Sequence, residues 1–149
     1  MVFEEAVIAF RNAGDVYGAE MAMAYHHREV ARDIPESKIR RRHDAFMAAA
    51  NAFECCAEIA RNSVERRSHY AIAARCYADA NSNDSRKATV RTLKLADMIQ
   101  EAALYCLENN LHDSGVSIIK EHKEKIDSNT AERIENAARL WYLKSKKLE

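Results

Sequence analysis

Turn-forming residues are scarce in this 149-residue chain: one proline, Pro35, and three glycines, Gly14, Gly18 and Gly115. A β-rich fold needs turn residues about every 8–12 positions, so a sandwich or barrel is excluded. Net charge is also lacking. Twenty-three basic residues balance twenty-three acidic ones, and the balance holds in both halves of the chain. No global field is left to draw in a polyanion or a membrane surface. No apolar run approaches the ~20 residues of a membrane span, so a membrane is not an expected partner. No signal-like start is visible.

Cysteine is sparse and badly placed for chemistry. Cys55, Cys56, Cys76 and Cys106 all sit inside apolar helical patterns. Adjacent Cys55 and Cys56 would point about 100° apart on a helix, which is poor for a shared metal. Four buried, reduced thiols are expected, in an intracellular setting, cytoplasmic or nuclear.

What the chain does have is alanine, twenty-six of them, with abundant Glu, Arg and Lys. That composition predicts an all-α fold. The periodicity predicts about seven helices in a single domain over 1–149. The first, 2–13, faces inward with Phe3, Ala6, Val7 and Phe10 and stops at Gly14. Asp15 then caps a second helix to about Arg32, with Val16, Ala19, Met23 and Val30 inward. A third runs from near Ser37 to Arg61 on a stripe that includes Ile39, Phe46, Ala49, Ala50, Phe53 and Ala57. The fourth covers about 64–80, and "NSNDS" at 81–85 reads as a loop. A long fifth helix, 86–108, follows the spacing of Val90, Leu93, Ala96, Ile99, Ala103 and Leu107. The sixth takes 112–126 with Val116 and Ile119 inward. The seventh takes 130–147, capped by Asn129 with Glu132 in capping-box register. Short loops imply antiparallel neighbours.

One wording recurs: "AANAFECCAEIA" at 49–60, "YAIAARCYADAN" at 70–81, "AALYCLENN" at 102–110 and "AARLWYLKS" at 137–145. Paired alanines let a neighbouring helix approach, and a large residue three or four positions on fills the hole beside them. The segments "AVIAFRNAGDVYGAEMAMAY", "AARCYADANSNDSRKATVRTLKLA" and "AALYCLENNLHDSGVSII" resemble tetratricopeptide (TPR) and TPR-like α-solenoid repeats. The repeat tryptophan and closing proline are missing from all three. The stretch 43–149 is also similar to helical arrays in large proteins that join a helicase-like ATPase to TPR and ankyrin repeats. That resemblance implies a piece of a longer scaffold. It brings no ATPase activity, because no phosphate-cradling G-x-x-x-x-G-K-[ST] exists here.

Catalytic, cofactor and metal sites are not expected. His26, His27 and Glu29, like His69 with Glu65, match neither H-E-x-x-H nor Glu-x-x-His, so helix-surface or helix-end histidines are expected. Cys106 and His112 lack an orienting third group. "KIRRRH" at 38–43 is the one local charge imbalance. It is read either as a solvated face with a Glu36–Arg40 pair, or as a contact for phosphates or an acidic partner through Lys38, Arg40, Arg41 and Arg42. The function expected is a non-catalytic interaction or scaffold module with a protein partner. The alternative is a structural or nucleic-acid-contacting module inside a larger helicase-like enzyme.

Overall fold

The computed structural model describes residues 2–147, and 85 % of them are helical, with no strand among them. The chain divides into two compact units, Met1–Ala96 and Asp97–Glu149. The first holds α1 (Val2–Asn12), α2 (Val16–Asp33), α3 (Ile39–Glu58), α4 (Ser63–Ala80) and α5 (Asn83–Leu95). Each helix packs on its sequence neighbours, in the order of an antiparallel helical-repeat stack. The second unit holds α6 (Ile99–Glu108), α7 (His112–His122), a 3-10 turn at Lys123–Lys125, and α8 (Ser128–Lys147).

Small residues dominate the core of the first unit. Ala24, Ala31, Ala49, Ala50, Ala73 and Ala80 are buried there with Cys56 and Cys76. Three rings, Phe46, Phe53 and Tyr77, supply the bulk. Phe46 and Phe53 are seven residues apart, two turns of α3, so both point into the same interface. The expected stripes fail at helix ends: Val16, Val30 and Ile39 are exposed. Beside Val30, Ala31 is fully buried, so there the inward side of the helix lies about 100° from the expected stripe.

The helix ends show how so few glycines suffice. Gly14 takes φ +75, and Asn81, Asp97 and Asn110 take φ 51, 58 and 58. Each follows a helix or its cap, where a left-handed residue turns the chain out. Asn and Asp tolerate that conformation best among residues with a Cβ. Asp97 therefore breaks the long fifth helix expected over 86–108 into α5 and α6, making eight α-helices among the described residues rather than about seven. Lys125 Nζ holds the Asp97 carboxylate at 3.0 Å.

Helix starts follow side-chain acceptors. Asp15 accepts from the Gly18 amide at 2.8 Å, as expected. Asn62 accepts from Glu65 at 2.9 Å. Ser82 and Ser85 form a reciprocal capping box, so α5 begins at Asn83, inside the stretch read as loop. The start of α8 is held by Asp127, not Asn129. Its carboxylate accepts from the Asn129 amide at 2.9 Å and the Thr130 hydroxyl at 2.8 Å. Asp127 wins because Gln100 also fixes it, accepting from its amide at 2.8 Å.

The alanine interfaces leave no room for longer side chains. Replacing fully buried Ala73 with leucine is expected to cost about 1–3 kcal/mol by overpacking. Chemical denaturation of the variant beside the unmodified chain measures the loss.

Candidate functional site

Polar groups that meet between helices, partly or fully buried, mark where the first unit is held. On α3, Glu54 accepts two hydrogen bonds from the Arg91 guanidinium of α5, at 2.6 and 3.0 Å. The Tyr77 hydroxyl of α4 donates to the same carboxylate and lies 2.8 Å from the Asn51 side-chain oxygen. Burial works against ionising Glu54, yet the bonds from Arg91 and Tyr77 prevail and hold it below the ordinary carboxylate range. Burial first, and then Glu54 itself, pushes the Tyr77 hydroxyl well up. These shifts come from a strut that joins three successive helices. They poise no group for proton transfer near neutral pH.

A second strut joins α2 to α4. The Tyr17 hydroxyl lies 2.6 Å from Nε2 of His69, and His69 also stacks near Phe53. His69 is only 4 % exposed, which corrects the expectation of a surface histidine. It sits on the inward side of α4, four residues ahead of buried Ala73. Its Nδ1 has no hydrogen-bond partner, so a proton added there would be buried without an acceptor. Burial lowers the His69 pKa, with the Glu65 carboxylate partly opposing. The unfolded chain then takes up the proton first as pH falls through about 6.5. Stability present above that pH is expected to decline on acidification. His69→Phe should flatten the change between pH 7.5 and 5, as read by denaturant unfolding at the two values.

The four cations of 38–42 are placed differently. Arg42 Nη1 donates to the Ile34 carbonyl at 2.8 Å, closing the end of α2. Its guanidinium also lies 4.9 Å from the centroid of Phe46. His43 is likewise engaged, 3.1 Å from the Ser82 hydroxyl that caps α5. Lys38, Arg40 and Arg41 remain exposed, and Arg40 makes no ion pair with Glu36. Arg42→Ala is therefore expected to lower stability by roughly 1–2 kcal/mol. Arg40→Ala and Arg41→Ala should each stay within about 0.5 kcal/mol. Thermal unfolding of the three variants separates the roles.

The other sequence candidates disperse. Cys55 is exposed while Cys56 and Cys76 are buried, so the expectation of four buried thiols fails at one position. Adjacent residues on a helix face apart, and only one of this pair could turn inward. Burial pushes the Cys56 thiol up to about 12 and Cys76 to about 11; both are unreactive near neutral pH. His112 stacks on Trp141, with ring centroids 5.5 Å apart, and Cys106 is buried. Among the described residues no cluster of three or more His, Cys, Asp or Glu could hold a metal.

The least satisfied surface lies on α8. Leu140, Trp141, Tyr142 and Leu143 are all exposed, Trp141 by 46 % and Tyr142 by 59 %. The Ala-Ala pattern at 137–138 implied that the following ring would fill a hole, as Tyr77 does in α4. Instead Trp141 borders an open hollow of about 400 Å³, lined by His112, Val116, Ala138 and Tyr142 among others. Val116, expected inward, is exposed on its rim. A second hollow, about 370 Å³, lies between α1 and α2 and is lined by Phe3, Val7, Ile8, Met23, His26 and His27 with two charged neighbours. No described helix is long and apolar enough to cross a membrane. Comparison with family models, with curated proteins and with solved structures gave no match.

Proposed function

We propose that the chain is a non-catalytic protein-interaction module of TPR-like helical repeats, with its principal contact surface at the end of α8. One observation carries the reading: Trp141 and Tyr142 stand exposed on the wall of an open hollow, with Leu140 and Leu143 also exposed on the same helix. Tryptophan and tyrosine dominate the energetics of protein interfaces, and here the two stand exposed at adjoining positions that border one hollow. Stacked helix pairs are suited to present such a surface to a partner segment. The buried Cys56 and Cys76 thiols suit a reducing compartment, cytoplasmic or nuclear.

The alternative, a phosphate-contacting module of a larger helicase-like enzyme, draws less support. It relied on Lys38, Arg40, Arg41 and Arg42, and Arg42 is committed to the end of α2 and to Phe46.

A photo-crosslinking residue at position 117, exposed on the wall of the hollow, tests the interaction reading. Discrete protein adducts are expected from 117 and not from an exposed control position, Arg67, on α4. The adducts should disappear in Trp141→Ala/Tyr142→Ala, whose exposed substitutions leave the circular dichroism spectrum unchanged. Equal adducts from both positions would overturn the assignment.

A further inference from the structure

The end of α8 has a chemistry that narrows its partner. His112, the first residue of α7, stacks on Trp141. The six residues of α8 after Trp141 therefore run past the start of α7, by roughly 9 Å at helical rise. Over 139–147 the helix carries Arg139, Lys144, Lys146 and Lys147 and no carboxylate, in a chain whose net charge is zero. The Lys146 ammonium sits 5.6 Å from the centroid of the Tyr142 ring, so cation and apolar surface are joined. Asp113, from α7, is the one carboxylate lining the hollow.

Resting on the interaction-module reading, we propose that this surface binds an acidic segment of a partner protein. One apolar side chain of the segment enters the hollow beside Trp141, and its carboxylates lie against Lys144 and Lys146, which flank Trp141 and Tyr142 around the helix. A pocket of about 400 Å³ has room for one large aliphatic or aromatic anchor. The cations around it supply attraction that steers encounter and fixes orientation.

The two other occupants fit worse. A second copy of the chain centred on Trp141 would bring two sets of these cations together, and like charges across an interface are costly. A membrane surface calls for one apolar and one polar face along the helix. Here Lys144 falls between Leu140 and Trp141 around the helix, and Lys147 between Leu140 and Leu143, at 100° per residue. The apolar and basic positions interleave, which suits a pocketed protein contact.

Trp141 is the only tryptophan of the chain, so its emission reports directly on this surface. A random twelve-residue peptide library displayed on phage is selected against the intact chain. Individual peptides are then titrated by Trp141 emission and by anisotropy of the labelled peptide. The expected winners are rich in Asp and Glu around at least one Leu, Phe or Met. They should shift Trp141 emission to the blue and weaken as salt rises. Lys144→Glu/Lys146→Glu and Tyr142→Ala should each reduce affinity roughly tenfold or more, with helicity unchanged.

Winners that are neutral or basic, or that bind the charge-reversed chain equally well, overturn this inference and leave the interaction-module reading standing. A selection that enriches nothing above a blank surface overturns both. A Trp141 shift produced by phosphatidylserine vesicles but by no peptide would assign the surface to lipid. A Trp141-dependent dimer in sedimentation would assign it to self-association. Either result rules out the acidic partner.

Discussion

Between α3 and α4 the side chains meeting in the core are mostly methyl groups. Ala49, Ala50 and Ala73 are fully buried there, and helices that meet on alanine approach toward the short end of the ordinary 8–10 Å spacing. That closeness decides what else the interface can hold. Phe46, Phe53 and Tyr77 are buried in one cluster with these alanines and supply its bulk. The close approach also brings polar groups of successive helices within reach of one another. Glu54, Tyr77 and Arg91 come from three helices and meet around one carboxylate. Half-buried between the helices, the Glu54 carboxylate exchanges part of its hydration for these partners, so the strut uses the close approach that the alanines allow.

The all-α class, the order of the first four helices and the small-residue core were readable because each rests on a periodic signal repeated many times. Fully buried Ala49, Ala50 and Phe53 fall on one stripe, and no alternative period explains them. The break at Asp97 was not readable in that way. The apolar spacing of Val90, Leu93, Ala96, Ile99 and Ala103 runs through it without a skip, and a single aspartate does not announce a left-handed turn. Asn81 and Asn110 carried the same information inside polar clusters, where it was visible as a loop. Asp127 was passed over as a cap because Asn129 offered the better local motif; what favours Asp127 is Gln100, distant in sequence.

The candidate surfaces were legible to different degrees. The basic run at 38–43 stood out as composition, yet charge content does not say which cation is engaged. Arg42 and His43 are tied to the ends of neighbouring helices, and only Lys38, Arg40 and Arg41 remain open. The aromatic pair at 141–142 was hidden by its resemblance to the core words elsewhere. The same spacing that buries Tyr77 leaves Trp141 exposed, because His112 stacks on one side of it while the other side borders an open hollow. The clue was the lysine-rich tail that follows, which no core helix end in the first unit has.

The Glu54 strut also sets how the first unit comes apart. It ties α3, α4 and α5 through a single shared acceptor, half-buried Glu54, so separating any one of them from the others breaks charge-assisted hydrogen bonds. α1 has no such tie and packs chiefly on α2. Opening of this unit is therefore graded: the N-terminal helix can detach and return while the central three remain a single cooperative block. The hollow between α1 and α2, with Phe3, Val7 and Met23 on its walls, lies at that weakest joint, and its apolar lining becomes accessible well before the rest of the unit unfolds.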